Sequence, residues 1–305
     1  MAYRFAKGQD TVQDGVRKIA TNLIDKAIDA AKQRRNPEET VHELRKTCKR
    51  LRGLIRLVRP VFADYHAENA AFRDAGRKLS YLRDTAVLIQ TYDTLLNAYN
   101  DQVDRARFAP IRRRLTLQQK QSANHSEAGR RLEEFGQGMA GARGRVRRWR
   151  LSEDGFDAIE PGITKSYKAA RQAMAAASQE INVETVHEWR KRVKDHWYHT
   201  RLLTPIWRKQ MKTSGVVARD LGELLGQHHD LDVFQERLAE GEMANAADLE
   251  VLIGLAKRRQ EALADEAFIM GARLLAEPPK NLTRRWRSYW QTWHSDEPRE
   301  AALAA

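Results

Sequence analysis

The sequence predicts an all-α protein, and three observations predict it. Ala, Leu, Arg, Glu and Gln dominate the chain and only eight prolines interrupt it, a usage that suits helix interiors. Runs of β-branched residues, the usual mark of strands, are few. A basic segment also occurs twice, 145 residues apart: ETVHELRKTCKRLRGLIRLVRP from Glu39 and ETVHEWRKRVKDHWYHTRLLTP from Glu184. Each copy carries apolar residues at helical steps and closes on a proline, so each reads as one amphipathic helix.

Taken in order, the periodicity places helices at about 11–34, 38–58, 62–98 and 104–149, and again at about 163–178, 183–203, 206–240 and 246–275, with a last one near 280–294. The second helix has a clear start. Asn36 can cap it, Pro37 suits the first helical position, and Glu38 and Glu39 complement the helix dipole. Its counterpart has Asn182 as cap and Glu184 in the first turn. The stretch Leu151 to Gly162, ending in Pro161-Gly162, reads as a junction. Other positions repeat in step: Gly76, Leu79, Asp84 and Val87 match Gly222, Leu225, Asp230 and Val233, and RRWR at Arg147–Arg150 recurs at Arg284–Arg287. The expectation is two four-helix-bundle-like repeats, residues 1–150 and 151–294, stacked about a pseudo-twofold axis and followed by a disordered tail at 295–305.

Charge narrows the partner. The chain has 54 Lys+Arg against 41 Asp+Glu in 305 residues, a net charge of +13 and a pI near 9.9. Residues 1–150 hold 32 basic and 17 acidic side chains, and residues 151–305 hold 22 and 24. The second half is therefore slightly acidic and still keeps its copy of the basic segment, so those charges are placed locally. A polyanion is implied, whether nucleic acid, phosphate polymer or acidic membrane. The single Cys48 excludes an intramolecular disulfide and suits a reducing compartment. Met1 opens onto AYRFAKGQDT, which lacks a signal-peptide core, and no apolar stretch is long enough to span a bilayer. A soluble, cytoplasmic protein is expected.

The repeated helix has two working faces. Val41, Leu44, Cys48, Leu51, Ile55 and Val58 step by three and four residues, forming a core stripe. One position later run His42, Arg45, Lys49, Arg52, Arg56 and Arg59, with Lys46 alongside. One residue is about 100° of helix rotation, so the basic stripe flanks the core stripe. In the second copy Val186, Trp189, Val193 and Leu203 keep the apolar register, while His187, Arg190, Lys194 and Arg201 keep the basic one beside Lys191. A solvated face usually mixes Glu with Lys, yet Glu43 is the only acid within the first stripe. Like charges at this spacing repel, and a bound anion relieves the repulsion. If the two helices face each other, their stripes line one cleft.

This pattern resembles the CHAD family, the conserved histidine α-helical domain. The resemblance rests on His42-x-x-Arg45-Lys46-x-x-Lys49-x-x-Arg52 with Arg83-Asp84-x-x-Val87, and on His187-x-x-Arg190-Lys191-x-x-Lys194 with Asp230-x-x-Val233. It covers about residues 10–294. It implies two four-helix bundles around a basic central channel that binds inorganic polyphosphate, and it implies association with polyphosphate granules. His42, Arg45, Lys46, Lys49, Arg52, Arg56 and Arg83 would contribute from one half, and His187, Arg190, Lys191, Lys194 and Arg201 from the other. The chain departs from the pattern in two places, with His229 where the first half has Arg83 and Trp197 where it has Arg52. Near a polyanion His42 and His187 favour protonation, so binding should strengthen at lower pH.

Other chemistries use some of the same residues. Glu39-x-x-His42 and Glu184-x-x-His187 match the Glu-x-x-His of di-iron bundles, but Arg45, Lys46 and Lys49 on the same face repel a dication. His229-Asp230 with His196 or His199 is similar to helical metal-dependent phosphohydrolases of the HD type, although the first half lacks those histidines. Direct RNA or DNA binding would use the charge together with Trp149 and Trp286 inside RRWR, whereas Trp189 falls on a core register. No Glu-x-Glu-x-Lys tunnel signature, phosphate loop, His-Glu-x-x-His or Gly-x-Ser-x-Gly occurs. The expectation is a binding protein, with no catalysis, cofactor or metal, no membrane partner, and nucleic acid at most a weak competitor.

Overall fold

Among the described residues (3–33, 37–79, 84–122, 125–240 and 246–295), the computed structural model contains eleven α-helices and no strand. The first half supplies α1 (Val12–Gln33), α2 (Pro37–Leu57), α3 (Tyr65–Arg77), α4 (Asp84–Ala98), α5 (Arg105–Ser122) and α6 (His125–Val146). The second supplies α7 (Glu160–Gln179), α8 (Val183–Leu202), α9 (Arg208–Glu240), α10 (Ala246–Leu274) and α11 (Pro279–His294). The all-α expectation holds. One expected helix is two in fact, with 62–98 divided at Lys78 and Leu79 before α4, while the described residues of 104–149 form α5 and α6. Apolar period runs on past Lys78 and Leu79, which hides that break from a periodicity argument. Arg83, the proposed cap Asn36 and the tail beyond Ser295 lie outside the described residues.

Local signals set the helix starts. Asn182 caps α8, its Oδ1 accepting from Thr185 N at 2.9 Å while Thr185 Oγ1 accepts from Asn182 N at 3.1 Å. At α1, Thr11 Oγ1 accepts from Asp14 N at 3.1 Å, and Asp154 Oδ1 accepts from Val12 N at 2.7 Å. A carboxylate from the segment between the halves thus satisfies an amide left open at the start of the first helix. Pro161-Gly162 does not belong to that junction. Pro161 sits in the first turn of α7, where its missing N–H costs nothing, and Gly162 follows inside the helix.

At Gly162 the halves approach closely. A Cβ added there would lie 1.7 Å from the Leu57 carbonyl oxygen at the end of α2. No side-chain rotation relieves a clash with backbone. Gly162→Ala should therefore cost about 1–3 kcal/mol or more, as core overpacking does, and urea unfolding would measure it. Stability equal to wild type would show that α7 and α2 shift apart freely.

The core stripes behave as their spacing predicts. Val41, Leu44, Cys48, Leu51, Ile55 and Val58 are all buried, as are Val186, Trp189, Val193 and Leu203. Burial pushes the Cys48 thiol up to about 12, so it stays protonated. The cores do not divide at residue 150. The largest combines residues of α1, α2, α6, α7, α8 and α11, and a second joins α4 and α5 to α9 and α10. Each half buries apolar surface that the other would otherwise expose, so the halves interlock.

The core also takes in His196 and His199. His196 stacks on Trp286, with centroids 5.7 Å apart and planes 18° apart, and His199 lies fully buried beside it. Burial holds His196 at about 4, and burial with Arg56 and His196 nearby holds His199 well below the imidazole range. Unfolded histidines bind protons near pH 6.5, so below that pH protonation favours the unfolded chain. Stability should be fully present above about pH 6.5 and fall progressively towards pH 4. His196→Phe, which preserves a ring against Trp286, should flatten that slope in thermal melts; an unchanged slope would assign the acid sensitivity elsewhere.

Candidate functional site

Helices α2 and α8 present their basic stripes beside these cores. His42, Arg45, Lys46, Arg52 and Arg56 are partly buried on α2, and His187, Arg190, Lys194 and Arg201 on α8, while Lys49 and Lys191 are exposed. The two helices cross at Gly53, where an added Cβ would lie 2.8 Å from Tyr198 Cβ. Gly53 and Tyr198 each stand eleven residues after the histidine of their own copy. Each histidine is therefore about 16 Å of helix from the crossing. The two stripes thus lie on helices that cross at one point.

Partners from other elements modify the sequence reading. Only Glu43 appeared as a nearby acid, but the fold brings Asp195 of α8 onto Arg56 of α2, with both side chains inside. Asp195 also meets Arg192 at 3.4 Å. The Arg56 charge is thus already matched by an internal carboxylate. Arg52 donates to Asn69 Oδ1 of α3 at 3.0 Å. Lys46 pairs with Glu43 at 2.7 Å and Lys191 with Glu188 at 3.3 Å, the same pairing in both copies. These pairs are solvent-exposed and contribute little.

Trp197, which replaces the Arg52 position in the second copy, keeps a function there. Its ring supports Arg201 at 4.9 Å and Lys194 at 5.8 Å, and Arg201 also lies 5.5 Å from the ring of Tyr3. Cation–π attraction orients these side chains against the aromatic faces. Tyr3 was not foreseen, because nothing in the N-terminal sequence marks it as a neighbour of α8.

A cavity of about 280 Å³ opens between α4, α8, α9 and α10. Arg190 and Lys194 enter it from α8, lying over Gly226 and Gly222 of α9. A Cβ at Gly226 would come within 3.1 Å of Arg190 Nη2, and one at Gly222 within 3.5 Å of Lys194 Cγ. Two glycines one turn apart thus make room for two cations one turn apart. Arg259 of α10 joins them, together with Gln90, Thr91 and Thr94 of α4. Sequence reasoning missed Arg259, since its KRRQ setting has no match in the other half. Only the packing of α10 on α9 brings it to the site.

His187 lies 4.5 Å from His229, centroid to centroid. Burial, then His229, Lys191 and Arg190, hold His187 at about 4, and burial and Arg190 also lower His229. His187 is therefore neutral at pH 7 in the free protein. A polyanion beside it would reverse the sign of its surroundings, so binding would take up protons and strengthen as pH falls.

Other residues of the competing readings lie elsewhere. His196 and His199 are core residues, and both RRWR tryptophans are buried, Trp149 at 2% exposure against Phe62 and Trp286 at 1% against His196. Neither ring is open to a base. Trp189 stacks on Phe268 in the core. Among the described residues no three His, Cys, Asp or Glu side chains gather where a metal ion could sit, and no helix is long and apolar enough to cross a membrane.

The model of the CHAD domain matches residues 18–239. The chain belongs to the CHAD domain family. Among solved structures, this CHAD domain is similar to the crystal structure of the CHAD domain from the plant Ricinus communis, at TM-score 0.59 and 18% identity over 86% of this chain and 89% of that one. It is similar also to PptA from Streptomyces chartreusis, at TM-score 0.58 and 15% identity over 87% of this chain and 99% of the other. At such identities the likeness is one of fold. No curated protein matches this CHAD domain in sequence.

Proposed function

We propose that this CHAD domain binds inorganic polyphosphate along the basic stripes of α2 and α8 and performs no chemistry on it. The observation that carries this reading is the repetition of one cationic stripe on two helices, α2 and α8, that cross at Gly53 and Tyr198. Polyphosphate repeats an anionic unit without bases, so it can be recognised only by repeated cationic donors. Arginine supplies two-oxygen contacts and lysine a point charge. Family membership supports the reading, and so does the burial of the tryptophans that a nucleic acid would need for stacking. The expected partner is the polymer itself, in the cytoplasm and at polyphosphate granules.

Titration of the pure protein with long-chain polyphosphate, RNA, duplex DNA and pyrophosphate at fixed salt tests this. Tight binding to the polymer, falling steeply with salt as counterions are released, is the expected result. RNA binding of equal or greater strength overturns it. Phosphate release from the polymer, followed over hours, would establish an enzyme instead of a binder.

A further inference from the structure

The cavity between α4, α8, α9 and α10 differs chemically from the open stripes. It contains three cations, Arg190, Lys194 and Arg259, but also the carboxylates of Glu223 and Asp230. Its inner wall includes Leu95, Leu231 and Leu263, all core residues. A volume of about 280 Å³ lies just under the range of drug-sized pockets, about 300–1,000 Å³, which suits a small anion or the end of a larger one.

Phosphates within a linear polymer and at its end are not alike. An interior unit carries one negative charge and no proton, so a neighbouring carboxylate repels it and no hydrogen bond compensates. A terminal unit has a second ionisation near pH ~6, as phosphate monoesters do. It therefore carries up to two charges, and while protonated it has an O–H to donate. Mixed cations and carboxylates penalise the interior unit and accommodate the terminal one. An apolar inner wall also gives an entering chain nothing to continue along.

We infer that this cavity receives the terminal phosphate of linear polyphosphate, with Arg259 meeting its second charge beside Arg190 and Lys194 when the unit is fully ionised, and the partly buried Asp230 accepting its hydroxyl when it is protonated. The inference rests on the polyphosphate reading above, because Arg190 and Lys194 serve both the stripe and the cavity. Binding would then be limited by chain ends, and a molecule without ends would be a poor competitor.

Competition on the full chain tests it, using labelled long-chain polyphosphate displaced by linear tripolyphosphate or cyclic tetrametaphosphate. These carry similar charge near neutral pH, but only the linear compound has termini. The linear compound should compete at roughly tenfold lower concentration, the scale of one charge-assisted hydrogen bond. Arg259→Gln and, separately, Asp230→Asn should bring the two competitors towards parity, with circular dichroism confirming the fold of each. Equal competition by the ring on the wild-type protein overturns the end-pocket inference while leaving polymer binding in place. A linear advantage that survives both substitutions overturns it as well. No binding of the labelled polymer at all would instead overturn the polyphosphate reading beneath it.

Discussion

Alanine at both Arg45 and Arg190 will abolish polyphosphate binding while leaving helix content unchanged. The two arginines hold the same place in the two copies, three residues after His42 and His187. Both lie partly buried, so each is restrained before binding and loses less entropy on binding. Hydrogen bonds to charged groups contribute about 1.5–3 kcal/mol each, so losing one from each stripe should weaken binding by roughly 10²–10⁴-fold. The salt dependence should also become shallower, by about 0.7 in log–log slope for each phosphate that is no longer neutralised. Fluorescence titration at several salt concentrations measures both. Alanine at Lys46 and Lys191, whose pairs with Glu43 and Glu188 are open to solvent, is the control that removes equal charge at smaller cost. Retained affinity in the arginine double variant would move the binding surface off these stripes.

Asp195→Ala will cause the largest loss of stability. The side chains of Asp195 and Arg56 are only 6% and 12% exposed, and they join α8 to α2 close to the crossing. Removing one partner of a buried pair leaves the other charge in the interior, which costs about 3–5 kcal/mol. Replacing both by apolar residues of similar volume is far milder for such pairs. Chemical denaturation should therefore show Arg56→Met with Asp195→Leu more stable than Asp195→Ala alone. If the double replacement is the less stable protein, the pair is not what the single change breaks. The same experiment separates Arg56 from the other cations of its stripe. With its charge already matched from within, Arg56→Met should lower stability much more than it lowers affinity for polymer. Comparable loss of affinity for Arg56 and Arg45 variants would return Arg56 to the binding set.

Two kinds of information were unequally legible. Core and basic stripes on α2 and α8 could be read because helix period is local, so a displacement of one residue is a rotation of about 100° wherever the helix sits. The cap at Asn182 was legible for the same reason, as its partner Thr185 lies three residues away. The break within 62–98 was not, since apolar spacing continues past Lys78 and Leu79 where the helix ends. Burial of the RRWR tryptophans was also hidden. Their neighbours Phe62 and His196 come from distant segments, and a tryptophan among arginines has the same sequence signature on a surface as in a core.

By itself, then, the sequence determined the all-helical class, the duplicated helix and the face on which its positive charge lies, because each depends on interactions within a few residues. The tertiary structure alone decided which charges remain available to a ligand. Asp195 reaches Arg56 from 139 positions away, Arg259 enters the cavity from α10, and His187 is kept neutral by burial and by His229. Charge can be counted along a chain, but its neutralisation depends on distance and on exclusion of water. Those are set only when helices far apart in sequence pack together.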